Sequence, residues 1–140
     1  MGQDRITARN AELTGLGMAA WADAPQLQVL GNLTAPRLPI FSLRVRGPNG
    51  FLHQADVTRA LSDLYGIQAR GGCACADPYA HRLLAVSEAQ SARMRQAILA
   101  GDDSVKPGFV RLNLSVLMSE AEVDFILDAV SALARTGLAA

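Results

Sequence analysis

The sequence predicts an α+β domain, a small and mostly antiparallel sheet covered by helices. Three observations carry this. Leu38 to Arg46 and Phe109 to Val116 alternate apolar and polar residues, the period of a strand with one buried face. Gln54 to Tyr65 and the segment after Ser119 place apolar residues at i, i+3, i+4 and i+7, the period of a helix. The resulting order, helix, strand, strand, helix, short strand, helix, strand, helix, lacks the βαβ alternation of a doubly wound sheet.

Each element has its own local reason. Residues 4 to 22 read as a helix through Ile6, Asn10, Leu13, Gly17 and Ala20–Trp21, although Gly15 and Gly17 each weaken it by about 1 kcal/mol relative to alanine. Pro25 leads into a short strand, Leu27 to Leu30. In the strand Leu38 to Arg46, Phe41, Leu43 and Val45 alternate with Ser42, Arg44 and Arg46, and Gly47 to Gly50 (GPNG) forms the turn that follows. The helix Gln54 to Tyr65 carries Val57, Ala60, Leu61 and Leu64 on one stripe, with Gly66 as its stop. Ile67 to Arg70 is a short strand running into two glycines. Asp77–Pro78 has the form of an N-cap and first helical residue, which predicts a short helix from Pro78 to Leu84. Ser87 with Gln90, and Ser119 with Glu122, have capping-box spacing. They start one helix reaching Ala100 and a last helix that carries Val123, Ile126, Leu127, Val130, Leu133 and Ala134. Between them, Val110, Leu112, Leu114 and Val116 share one face of a strand, and Arg111, Asn113 and Ser115 share the other.

Composition narrows the function classes. With 140 residues, half of them apolar, 19% charged and no net charge, the chain is a single globular domain and not a disordered segment. Neutral charge gives no electrostatic reason to expect nucleic acid, and no apolar run approaches the roughly 20 residues a bilayer requires. The start, MGQDRITARN, does not have the form of a signal peptide, so the expected compartment is the cytoplasm, where a structural disulfide between Cys73 and Cys75 would be unusual. Of the thirteen basic residues all are arginine except Lys106.

Local chemistry selects two places. Cys75 precedes a predicted helix start and follows Arg70, a setting that favours the thiolate. Gly71 and Gly72 would let backbone approach a ligand closely. The alternative for both cysteines is a small buried hydrophobe. Metal binding is disfavoured, since Cys-x-Cys lacks further soft ligands and only His53 and His81 could join it from a distance. Arg111 stands on the polar side of a rigid strand and can fork onto a carboxylate, or it simply faces solvent or an ion-pair partner. His81 and Arg82 belong to the polar side of the short helix, and His53 to the start of the helix that follows it.

Four segments in register carry a resemblance: RLPIFSL (Arg37–Leu43), LSDLYGIQARGGCACADPYAHRLL (Leu61–Leu84), KPGFVRLNL (Lys106–Leu114) and SEAEVDFILDAV (Ser119–Val130). Together they resemble the C-terminal, small domain of class V aminotransferases. These are fold-type-I enzymes that use pyridoxal phosphate (PLP) and include cysteine desulfurases and selenocysteine lyases. The likeness covers about residues 5 to 137. It implies that Arg111 binds the α-carboxylate of an amino-acid substrate, that Arg70 borders the same site, and that Cys75 stands at the sulfur-accepting position. Cys73 falls where many desulfurases have histidine, and the GGCACA form is closer to less characterised members. Asp77 and Ala80 stand where glycines are expected, and LNLSVL lacks the usual aromatic residues, which bears on the substrate more than on the fold.

The same resemblance implies PLP as cofactor, but PLP chemistry needs a Schiff-base lysine and an acid against the pyridine nitrogen. In that family both lie in the large domain, which these residues do not resemble, and Lys106 has no Schiff-base context. The expectation is therefore one wall of an active site. It would be completed by a lysine-bearing large-domain chain or within an oligomer, with transaminase or desulfurase chemistry. A non-catalytic remnant acting as an interaction domain is the alternative. A cofactor-free sulfur carrier using Cys75 is a third reading.

Overall fold

A computed structural model describes residues 2–73 and 77–138. Its elements are helix α1 (Gln3–Trp21), strands β1 (Leu27–Val29), β2 (Ile40–Gly47) and β3 (Gly50–Phe51), helix α2 (Gln54–Tyr65), strand β4 (Arg70–Gly72), helices α3 (Asp77–Leu83) and α4 (Glu88–Leu99), a 3-10 turn (Asp103–Val105), strand β5 (Phe109–Asn113) and helix α5 (Glu120–Thr136). The strands lie in the order β1-β2-β5-β4, with β3 added to β2, and every pairing is antiparallel. This is the α+β architecture expected.

The alternation in β2 and β5 divides the sheet into two unlike faces. On one, Phe41, Leu43, Val45, Val110 and Leu112 are buried with Leu27 and Val29 of β1. Leu13 and Trp21 of α1, Val57 and Leu61 of α2 and the stripe of α5 cover them. Trp21 is fully buried, meets the Phe41 ring edge-on at 5.0 Å and donates its indole N–H to Leu127 O at 3.4 Å. Gly17 explains why a weak helix former sits in α1: a Cβ there would run into the Phe41 ring. The helix gives up some propensity so that an aromatic ring can lie against its backbone.

The other face holds Ser42, Arg44, Phe109 and Arg111. Only part of it is covered, by a second small cluster of Leu30, Ala80 and Phe109 with Cys73, Leu83 and Leu84 around it. Helix α4 begins in a complete Ser87/Gln90 capping box yet buries no residue.

Boundaries differ from the sequence reading by one residue at β1, which ends at Val29, and by more at three other strands. Ile67, read as strand, has its backbone engaged by the end of α2: Gly66 is left-handed (φ 66°), its N–H bonds Ser62 O, and Ile67 N–H bonds Leu61 O. That Schellman closure holds Ile67 outside the ladder, and pairing starts at Arg70. Strand β5 ends at Asn113, short of Val116, because Asn113 faces Ile40, the first residue of β2. Leu114 makes one further bond to Pro39 O before the chain turns. The start of β2 at Ile40 in place of Leu38 has the same origin.

Candidate functional site

Strand β4 is the edge of the sheet, and its register places Arg70 directly opposite Arg111 on β5. On the other side of Arg111 stands Ser42 of β2. The row Arg70–Arg111–Ser42 therefore crosses the open face of the sheet. Directly opposed residues have Cβ atoms about 4.5–5.5 Å apart, and like charges in that position destabilise a sheet. Both arginines are exposed, and neither has a carboxylate partner among the described residues. Two grooves adjoin the pair. One, of about 610 Å³, runs from Arg70 and Arg111 past Gly71, Gly72 and Cys73 to Phe109. The second, of about 450 Å³, runs from the same two arginines to Asn113, Thr58 and Ser62. Two forked donors on paired strands beside a hollow have the chemistry to hold a carboxylate.

Cys73 is a free, half-buried thiol in contact with the small cluster beneath α3. It lines the first of these grooves and also a more apolar groove of about 530 Å³ walled by Met94, Ile98 and Leu99 of α4. Cys75, the predicted sulfur-accepting residue, lies outside the described residues. The helix after it starts at Asp77, one residue earlier than expected. His81 is half-buried and faces the groove beside α4; Arg82 is exposed. His53 is the N-cap of α2, its Nδ1 accepting from Ala55 N–H at 3.3 Å.

The glycine pair has a structural cause that differs from the one expected. A Cβ on Gly71 would collide with the side-chain oxygen of Gln54, and one on Gly108 would stand 2.8 Å from Gln54 Cγ and 2.8 Å from Gly72 Cα. The first residue of α2 thus threads between the two loops, and Gly71 and Gly108 make room for it. Gly72 is required by its own backbone, with φ 122°.

Lys106, the only lysine, is half-exposed and bridges Asp103 at 2.8 Å. It lines neither groove that adjoins the Arg70–Arg111 pair. The described residues do not by themselves make a PLP site. Among them no cluster of three or more His, Cys, Asp or Glu could hold a metal ion, and no described helix is long and apolar enough to cross a membrane.

The resemblance put Arg111 and Arg70 at one site but did not foresee that they oppose each other across two strands. It also missed Arg44, which stacks on Phe51 with its guanidinium carbon 3.6 Å from the ring centroid, while Arg46 lies over the same ring at 4.6 Å. The alternation of β2 puts Ser42, Arg44 and Arg46 on one side, which was the available signal. No protein-family model and no curated protein matches the chain.

Proposed function

We propose that this chain is the C-terminal portion of a class V aminotransferase-like, PLP-dependent enzyme acting on an amino acid. A lysine-bearing large domain, from the same or another polypeptide, completes it. Its own residues contribute the carboxylate clamp, with Arg111 forking onto the substrate carboxylate and Arg70 adding a second cation from the edge strand. PLP, held by the large domain, supplies the electron sink. The observation that carries this reading is the direct cross-strand pairing of Arg70 with Arg111 without a carboxylate partner among the described residues. An arrangement that costs stability in the free protein is repaid when an anion lies between the charges.

The groove beside the arginine pair and the groove beside α4 share Gly71, Gly72 and Cys73 in their walls. With desulfurase chemistry Cys75 takes the substrate sulfur; with transaminase chemistry it is a pocket residue only. An interaction domain without catalysis is the second reading. It is favoured by apolar side chains left in solvent, above all Leu117 (80% exposed) and Leu99 (78%).

The test is co-expression with a large-domain chain encoded beside this one, followed by steady-state kinetics. Arg111→Gln is expected to raise KM for the amino acid by about tenfold or more, the worth of one charge-assisted hydrogen bond. Cys75→Ser separates the two chemistries by abolishing sulfide release while sparing transamination. Unchanged kinetics in Arg111→Gln would remove the clamp. A stable complex of the two chains that turns over no amino acid would favour the interaction domain.

A further inference from the structure

A second basic hollow lies away from the Arg70–Arg111 pair. It has a volume of about 330 Å³ and sits where the end of the β2–β3 hairpin, the start of α2, the α3–α4 connection and the approach to β5 meet. Its charged walls are Arg44 and Lys106, with no carboxylate among the lining residues. Arg44 is half-buried, and its only hydrogen bond among the described residues is a long one, 3.5 Å, to Gln28 Oε1. The rest of its five-donor fork has no protein acceptor there. Its neighbour Arg46 lies over the same Phe51 ring, so two like charges are held against one aromatic ring. Burial first, and Arg46 second, lower the pKa of Arg44.

The remaining walls add to this field. His53 accepts at Nδ1 from Ala55 N–H, which leaves Nε2 as the donor, and Nε2 is buried without an acceptor among the described residues. Lys106 is shared with Asp103, but that exposed pair is worth little, about 0–1 kcal/mol, and leaves the ammonium free to turn. Asp102 is already engaged by Ser104 N–H at 3.0 Å and by the Ser104 hydroxyl.

We propose that this hollow binds a doubly charged oxyanion, inorganic phosphate or the phosphoryl group of a larger ligand, between Arg44 and Lys106. Two cations without a lining carboxylate match a charge of minus two better than a single carboxylate does. The planar fork of Arg44 takes two oxygens, and the ammonium of Lys106 takes a third. The site is distinct in residues from the carboxylate clamp and does not depend on it.

The test uses the chain with inorganic phosphate, and separately with phenyl phosphate, against chloride at equal ionic strength. Backbone amide NMR shifts report where each anion binds. Saturable shifts at Ala85, Val86 and Gly108 are expected, weakened by about tenfold in both Arg44→Gln and Lys106→Gln and unchanged in Arg111→Gln. Response to phenyl phosphate alone would identify the ligand as an organic phosphoryl group; response to both would identify the anion itself. Lys106→Gln changes only an exposed side chain, so it keeps the test sound if Arg44→Gln unfolds. No saturable shift with either anion, shifts that survive Lys106→Gln, or shifts abolished by Arg111→Gln would overturn the proposal.

Discussion

The two faces of the sheet differ in what they need. The face under α1, α2 and α5 is closed by its own chain: Trp21, Phe41, Leu13, Leu61, Leu133 and Val123 are fully buried there. The opposite face has three buried residues in its cluster, an edge strand of three residues, and a helix, α4, with none buried. The first face specifies the fold. The second displays Arg70, Arg111, Ser42 and Arg44 on a support that the first face keeps rigid. A protein that uses one side of a sheet for stability can leave charge uncompensated on the other.

The sharpest way to break this comparison is to truncate one apolar side chain on each side. Phe41→Ala removes the ring that fills the Gly17 notch and meets Trp21, and is expected to cost about 3–5 kcal/mol. Leu99→Ala, at the end of α4, is expected to change stability by less than about 0.5 kcal/mol. Urea denaturation of the two variants measures both. A cost for Leu99→Ala approaching that of Phe41→Ala would show that α4 belongs to the cooperative core.

The helix starts extend the comparison to pH. Helices α4 and α5 both open with a complete capping box, but the return partner is Gln90 in one and Glu122 in the other. Ser119 N–H and then the Ser119 hydroxyl hold the Glu122 carboxyl below its ordinary pKa. A carboxyl whose pKa is lower folded than unfolded contributes its full stabilisation above the unfolded value. That contribution is lost as pH falls through the folded value. Glu122→Gln is therefore expected to flatten the acid limb of the urea midpoint. Ser119→Ala, which keeps the backbone N–H, flattens it only in part and as a lost N-cap lowers stability by about 1 kcal/mol. Ser87→Ala should lower stability without changing that slope, since Gln90 does not titrate. Asp102, lowered in the same direction by Ser104, remains as a source of acid sensitivity in all three variants.

These contrasts also mark what was legible in the sequence. The bounds of α2, its left-handed glycine stop and the buried Val57 and Leu61 of its stripe were readable, because they are set within a few residues of each other, whereas Leu64 of that stripe is exposed. So were the apolar faces of β2 and β5. The ends of β4 and β5 were not, since each is decided by a partner distant in sequence: the closure of α2 withholds Ile67, and the start of β2 limits β5. For the same reason Arg111 could be placed on a polar face, but its opposition to Arg70 could not. That pairing depends on which strand takes the sheet edge. Gly71 was read as room for a ligand, whereas Gln54 fills that room, a contact no local pattern announces.

The last prediction separates structure from function at the arginine pair itself. If Arg70 and Arg111 repel across the β4–β5 ladder, Arg70→Gln removes a cost and should stabilise the free protein by about 0.5 kcal/mol. Added salt should stabilise the natural protein more than the variant, because exposed like charges are screened. The same substitution should weaken binding of a small carboxylate by about tenfold, read by NMR titration of the Arg70, Gly71 and Arg111 amides. A gain in stability together with a loss in binding is the signature of a charge kept for its ligand. A loss of both would mean that Arg70 is held by contacts within the fold, and the edge strand would then be structure only.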